Sequence, residues 1–277
     1  MAYRKQFIVE PGSQVKLDDI DPDFKDQHES KESAAVEIEH YRQQLFELQY
    51  LMYAERKHSL LIVLQALDAG GKDGTIRHVM SAVNPQGCKV ACFKKPTAVE
   101  ADHDFLWRIH QAAPARGEVA IFNRSHYEEV LVARVHQLVP REVWSKRYEQ
   151  INHFEQLLHS NGTHILKFFL HISKEEQLER FKQRLDDPAR QWKISEADYE
   201  ERQYWDAYQA AFEEALSQCS TKQAPWFIIP ANHKWFRDLA VSQIIVETLA
   251  DLGMKLPKPT VAMAEIRKKY HEAEQAG

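Results

Sequence analysis

The sequence predicts an α/β fold in which a parallel sheet is covered by helices on both faces. Two observations carry this. Five apolar runs of strand length, at residues 60–67, 88–93, 119–122, 164–172 and 226–229, alternate with helical stretches. Such alternation arises when each strand is reached by a crossover that lays a helix on the sheet. In addition, the first run leads into a glycine-bearing turn, "DAGGKDG", which opens a helix. A parallel sheet presents its ligand site there, at the carboxyl ends of its strands.

Taken in chain order, residues 1–32 are polar and punctuated by Pro11 and Pro22, and they read as an extended arm. From Ser33 the apolar positions Ile38, Tyr41, Leu45, Leu48 and Met52 recur at helical spacing, predicting an amphipathic helix to about residue 56 that packs on the main body or on a neighbouring subunit. A helix over residues 73–82 follows the glycine turn. Thr97 with Glu100 and Ser173 with Glu176 have capping-box spacing, and Asn161-Gly162 ends the helix that follows Pro140. The segment "ERFKQRLDDPARQWKISEAD", residues 179–198, is a basic helix broken at Asp-Asp-Pro and resumed at Ser195, the pattern of a hinged helical lid. The expected organisation is one domain over residues 33–256, preceded by the arm and followed by a polar, peripheral tail at 257–277.

Composition narrows the function classes. With 44% hydrophobic and 28% charged residues, the chain is ordinary for a soluble globular protein. No run approaches the ~18 apolar residues of a membrane span, and the N-terminus lacks a signal-peptide pattern, so a cytoplasmic location without a membrane partner is expected. The three cysteines form no CxxC pair and the 14 histidines form no zinc-spaced cluster. Cys88 and Cys92, four apart on a strand, read as filler. Net charge is −5, but residues 72–147 hold twelve Lys and Arg against eight Asp and Glu. A local basic field inside an acidic chain suits an anionic ligand.

The turn after the first strand departs from the phosphate-loop pattern G-x-x-x-x-G-K-[ST]. Gly71 and Lys72 fit it, whereas Ala66 replaces the first glycine and Asp73 the hydroxyl. Ala69, Gly70 and Gly71 let backbone N–H groups approach a phosphate, and Asp73, Gly74 and Thr75 form the first helical turn behind them. Lys72 reaches the phosphoryl oxygens. Asp68 and Asp73 leave this loop at −1 with Lys72, which repels a polyphosphate unless a divalent cation intervenes. Magnesium is the implied ion, with Asp68 its best ligand and Asp73 the second; an equal alternative for Asp73 is an acidic residue favoured by the helix dipole. Manganese as a substitute is left open.

The third strand ends in "FNRSHYEE". Asn123 stands where phosphate-loop enzymes place a metal-holding Asp, Arg124 points a guanidinium at the phosphate site, and Glu128 reaches the same crevice if a helix starts near Ser125. A solvated helix face is the alternative for Glu128. Arg108 and Arg134 sit on stretches whose other faces are apolar, pointing each to solvent or into a cleft. Arg180 and Arg184, one turn apart on the lid, present one basic face to a long anion, and Lys193 follows the Asp-Asp-Pro turn.

"ALDAGGKDG", "FNRSHYEEV" and "RLDDPARQWKIS", in that order, resemble the type-2 polyphosphate kinases over residues 41–256. The resemblance implies a thymidylate-kinase-like P-loop kinase fold, a homo-oligomer, and reversible, magnesium-dependent phosphoryl transfer between inorganic polyphosphate and nucleotides. Carried onto this chain, Asp68 resembles the family's loop aspartate, Lys72 its loop lysine, Arg124 the arginine after the third strand, and Arg180 and Arg184 the lid arginines. Asp68, Lys72, Arg124 and Glu128 are then the expected catalytic residues, Asp68 and Glu128 the metal ligands, and Arg108, Asn123, Arg124, Glu128 and Arg134 the nucleotide contacts. The commoner family pattern is Asp-Arg-Ser-x-Tyr-Asn; Asn123 and Glu128 at its first and last places resemble the class III subgroup, which phosphorylates both mono- and diphosphates. Purine nucleotides are the expected acceptors, with other bases left open. Two competing readings are an ATP-dependent nucleotide or nucleoside kinase of the same fold and a non-catalytic polyanion-binding module. No nucleic-acid-reading motif is present.

Overall fold

The computed structural model describes residues 3–276. In chain order the elements are α1 (Tyr3–Phe7), α2 (Lys31–Glu55), β1 (Ser59–Gln65), α3 (Lys72–Met80), β2 (Cys88–Cys92), α4 (Ala98–Ala101), α5 (Trp107–Ala112) and β3 (Val119–Asn123). They continue with α6 (Val132–Val135), α7 (Arg141–Ser160), β4 (Thr163–His171), α8 (Lys174–Asp186), α9 (Glu196–Arg202), α10 (Trp205–Cys219), β5 (Trp226–Pro230), α11 (Lys234–Ala250) and α12 (Met263–Ala276). The five expected strands are present with ends shifted by one or two residues. They form a parallel sheet in the order β2-β3-β1-β4-β5.

Alternation along β1 explains why its interior, Leu60 to Leu64, is apolar throughout. Leu60, Ile62 and Leu64 enter one core with α2, α3 and α11, while Leu61 and Val63 enter the other with α7 and α10. Both faces of the strand are dry, so polar residues occur only at its two ends, Ser59 and Gln65. The chain leaves β1 through α3 on the first face and leaves β3 towards β4 through α7 on the second. Neighbouring strands whose connections depart to opposite faces leave a crevice between their carboxyl ends. The glycine turn and the Asn123-Arg124 pair are therefore brought to one place.

Several expectations change in detail. The helix expected from Ser33 begins at Lys31, because Ser30 and Ser33 cap each other reciprocally; Leu45 and Met52 are buried, and α2 packs on α11. Thr97 and Glu100 form the expected capping box. Ser173 caps α8 by accepting from the Glu176 N–H, but the reciprocal bond is missing because the Glu176 carboxylate takes Arg180 Nε at 2.6 Å. The arm is not simply extended. Tyr3 and Phe7 on α1 join the first core, Val9, Val15 and Leu17 join the second, and Val9 N–H donates to Trp226 O beside an antiparallel Ile8–Phe227 bridge. Polar spacing hid these anchors, and in the fold they cover the edge at β5. The tail carries α12, whose side chains from Met263 to Gln275 are exposed. Among the described residues no helix is long and apolar enough to cross a membrane.

Burial also stores a pH dependence. His78, His164 and His171 all have pKa values lowered from the ordinary 6.5, in each case chiefly by desolvation. The unfolded chain therefore binds protons that the folded chain refuses, so stability is complete above 6.5 and falls as the pH drops below it towards the lowered folded values. We expect the thermal midpoint to be flat between about pH 7 and 8 and to fall progressively between about pH 6.5 and 5, and scanning calorimetry across that range is the measurement.

Candidate active site

The turn between β1 and α3 is built from conformations a side chain resists. Ala69 has φ 59°, and Gly71, at the N-cap of α3, has φ 110°. A Cβ on Gly71 would collide with Arg237 of α11. This turn closes on itself: Lys72 Nζ donates to Ala66 O at 2.8 Å and to Leu67 O at 3.5 Å, and Thr75 Oγ1, fully buried, donates to Gly71 O. From outside, Gln177 of α8 donates to Asp68 O at 2.9 Å and Arg180 donates to Ala69 O at 2.8 Å.

Arg180 differs from the expectation. The sequence paired it with Arg184 on a moving basic face, but it is only 4% exposed. Its guanidinium donates to Ala69 O, Ala231 O, Asn232 O and Glu176, clamping the turn to α8 and to the end of β5. Arg184 is the more accessible of the two and holds Lys193 O at 3.1 Å and Asp198 at 3.4 Å. Helical spacing put both on one face; it was silent on carbonyls arriving from two other segments.

At the end of β3, Asn123 donates to Asp73 Oδ1 at 2.9 Å, and Lys193 Nζ lies 3.9 Å from Asp73 Oδ2. Asp73 thus links the third strand to the lid while staying largely exposed. Arg124, at φ 61°, carries its guanidinium between two carboxylates, with Asp68 at 3.5 Å and Glu128 at 3.8 Å. A left-handed non-glycine residue costs about 1–3 kcal/mol and persists only where its surroundings over-determine it. Glu128 lies on a 3-10 turn, His126–Glu129, capped by Ser125. Burial raises its carboxyl pKa, opposed by Arg124 and Lys72. Burial likewise lowers that of Lys72, opposed by Asp68.

Two cavities meet here, sharing Asp68, Arg124, Lys193 and Asp198. The larger, about 1480 Å³, runs past the glycine turn, α3, the end of β2, α8 and the start of α11. Its lining holds eleven Lys and Arg against five Asp. The smaller, about 440 Å³, is lined by Gln65, Glu128, Glu201 and the aromatic residues Trp205, Tyr208 and Phe212. The electrostatic reason for a metal is consequently weaker than the loop alone indicated, because cations from α8, α11 and the β2 end outweigh the loop's two aspartates.

Ala69, Gly70, Gly71, Lys72, Asp73, Gly74, Asn123, Arg180, Arg184 and Lys193 all line the larger cavity. Arg108 and Arg134 line neither. Arg108 donates to Lys94 O at 2.8 Å over the Phe93 ring, and Arg134 holds Glu214 and Tyr148 against the Trp144 ring. Sequence reasoning missed Arg237 and Gln177, each a single polar residue on an amphipathic helix with no local signal. It also missed Tyr208, whose hydroxyl donates to Glu201 at 2.9 Å.

The two lid arginines are separable by experiment. Arg180→Met strands three buried or half-buried carbonyls and should lower the unfolding free energy by about 2–4 kcal/mol and speed amide exchange at Gly70 and Gly71. Arg184→Met should change it by under about 1 kcal/mol; urea denaturation with hydrogen exchange reads both.

With this geometry in place, comparison with known proteins is informative. The sequence model of the family described as Polyphosphate kinase 2 matches residues 28–257. A protein of Meiothermus ruber named AMP/ADP-polyphosphate phosphotransferase is 51% identical over 95% of this chain and 98% of its own length. An ADP-polyphosphate phosphotransferase of Rhodopseudomonas palustris is 47% identical over 93% of each. The crystal structure of polyphosphate kinase 2 from Arthrobacter aurescens TC1 superposes with a TM-score of 0.94 at 39% identity, over 98% of this chain and 97% of that one. Glycine turn, crevice and lid thus sit in a chain that belongs to the polyphosphate kinase 2 family.

Proposed function

We propose that this protein transfers the terminal phosphoryl group of inorganic polyphosphate to AMP and to ADP, reversibly. The observation that carries the reading is the junction of two unlike cavities at Asp68 and Arg124. A long, cation-rich cavity suits an extended polyanion, and a smaller one with apolar walls and a few polar groups is of the size that holds one nucleotide. Family membership and the names of the two relatives point the same way.

In this reading the polyphosphate lies along the larger cavity with its terminal phosphoryl group at the junction. An acceptor phosphate oxygen, already ionised at neutral pH, attacks that phosphorus in line, so no general base is required. One P–O bond forms to the nucleotide as another breaks to the chain, which leaves one unit shorter. Arg124 neutralises charge on the equatorial oxygens at the junction. Lys72 has three ammonium protons and directs two at carbonyls, keeping donor capacity for a phosphoryl oxygen. N–H groups of the glycine turn and the N-terminus of α3 add positive potential.

Asp68 and Glu128 fit a magnesium ion. They are hard oxygen ligands on either side of one guanidinium, and among the described residues no larger His, Cys, Asp or Glu cluster gathers. This is the modest ligand set that magnesium completes with substrate oxygens and water. When bound there, the ion would offset phosphate charge. Asn123, which spends its amide on Asp73, is assigned to positioning the loop.

The larger cavity favours polyphosphate over ATP as donor, because an excess of six cations is more than one triphosphate needs. The same proposal includes a cytoplasmic, homo-oligomeric enzyme. Free thiols at Cys88, Cys92 and Cys219 support the first, and Phe46, Tyr50 and Tyr53 exposed on α2 support the second. Sedimentation velocity measures the assembly state.

Incubation of the protein with AMP, magnesium and long-chain polyphosphate should yield ADP and then ATP, read by chromatography; product formed from ATP as donor but not from polyphosphate would overturn the reading. Asp68→Asn and Arg124→Met should each lower kcat about 100-fold or more, with the fold preserved by circular dichroism.

A further inference from the structure

Beneath the junction lies a buried charged cluster that the chemistry above does not use. Lys167 of β4 is 0% exposed and Glu155 of α7 is 1% exposed. Lys167 Nζ fills all three of its donor positions, to Glu155 Oε2 at 2.5 Å, Tyr127 OH at 2.8 Å and Cys219 O at 2.6 Å. The other carboxylate oxygen, Glu155 Oε1, accepts from Tyr127 OH at 2.9 Å and meets His126 Nε2 at 3.1 Å. His126 Nδ1 is buried without a partner, so the proton of the neutral ring belongs on Nε2, facing Glu155.

The position of this cluster in the chain gives it meaning. His126 and Tyr127 are two of the three side chains between Arg124 and Glu128, the third being Ser125. Those outer residues face the cavities, while the inner two, 1% and 0% exposed, turn down onto a single carboxylate oxygen. The turn is held further by Ser125, whose hydroxyl accepts from Gln65 and from Tyr127 N–H, by Arg124 N–H on Leu64 O, and by Arg147 of α7, which donates to Glu129 O at 3.1 Å and to its carboxylate at 2.6 Å. The third bond of Lys167 reaches the last residue of α10, the helix that supplies Tyr208 and Phe212 to the smaller cavity. The pair's bonds thus run to the turn carrying the junction residues and to the helix carrying the acceptor wall.

Stability does not account for such an arrangement. A fully buried ion pair loses several kcal/mol per ion of hydration, and a well-packed apolar pair of similar volume is commonly at least as stable. What the pair supplies is direction. Arg124 sits at φ 61°, a conformation that needs its neighbours fixed, and phosphoryl transfer loses about 100-fold for a displacement near 1 Å.

We propose that Lys167 and Glu155 are positioning residues for phosphoryl transfer, acting through His126 and Tyr127 to set Arg124 and Glu128 at the junction of the two cavities. This rests on the phosphotransferase reading above. Apart from Asn123 and Arg124 the donor cavity is lined by other elements, so the pair governs turnover and acceptor placement and leaves polyphosphate binding nearly unchanged.

The test uses the full-length protein with Tyr127→Phe, which deletes one hydroxyl from the cluster, and with the double variant Lys167→Met/Glu155→Met, which removes the pair. Each is assayed beside the unaltered protein with AMP, magnesium and polyphosphate. For Tyr127→Phe, kcat should fall about tenfold, and for the double variant about 10- to 100-fold. The KM for polyphosphate should stay within about twofold, and the thermal midpoint should not track the loss of kcat. If kcat stays within twofold, or if kcat and polyphosphate KM worsen together in step with the thermal midpoint, the cluster is merely structural and the inference is wrong. Should the double variant fail to fold, Tyr127→Phe decides by the same criteria. Absence of turnover in the unaltered protein would instead overturn the phosphotransferase reading.

Discussion

The architecture depends on β1 being a central parallel strand, paired to β3 on one side and β4 on the other. Both of its faces must be covered, so the crossovers leaving β1 and β3 take opposite sides of the sheet. That single constraint opens the crevice between the two strand ends. Everything functional follows from what the chain places there: a turn too tight for ordinary side chains, an arginine in a left-handed conformation, and carboxylates with nowhere to go except towards each other's cation.

Charge at the junction is organised by distance and burial more than by composition. Asp68 and Glu128 flank Arg124, while Lys72 turns back onto carbonyls of its own loop. The surrounding cations come from elements far apart in sequence, including Lys94 after β2, Arg184 on α8 and Lys234 on α11. A chain with net charge −5 therefore carries a locally basic cavity, with eleven Lys and Arg against five Asp. Arg180 and Arg237 serve a different purpose. They are 4% and 3% exposed and give rigidity to the turn from behind, so that its N–H groups keep their direction.

The strands, the helix after the glycine turn and the cap at Thr97 were legible because each is a local pattern: an apolar run, a loop with Gly71 and Lys72, a Thr with Glu three residues on. Asp68, Lys72, Arg124 and Glu128 were legible for a related reason, since each lies within a few residues of a strand end. Arg108 and Arg134 show the limit. Their helical faces suggested solvent or a cleft, but whether an arginine finds water, a phosphate or a carbonyl depends on which segment arrives opposite, and here those are Lys94 O for one and Glu214 with Tyr148 for the other. The arm misled in the opposite sense, because a few apolar anchors such as Tyr3, Phe7 and Leu17 dock it despite its polar character.

The sequence alone determined the alternating α/β order, the glycine turn that opens α3, the helix break at Asp-Asp-Pro and the resemblance to polyphosphate kinases, because each is written in residues near one another along the chain. Only the tertiary structure decided that Arg180 clamps the loop, that two unlike cavities meet at Arg124, and that His126 and Tyr127 rest on Glu155 and Lys167. Those facts depend on hydrogen bonds and desolvation between segments tens of residues apart or more, and local spacing carries no record of which segments will meet.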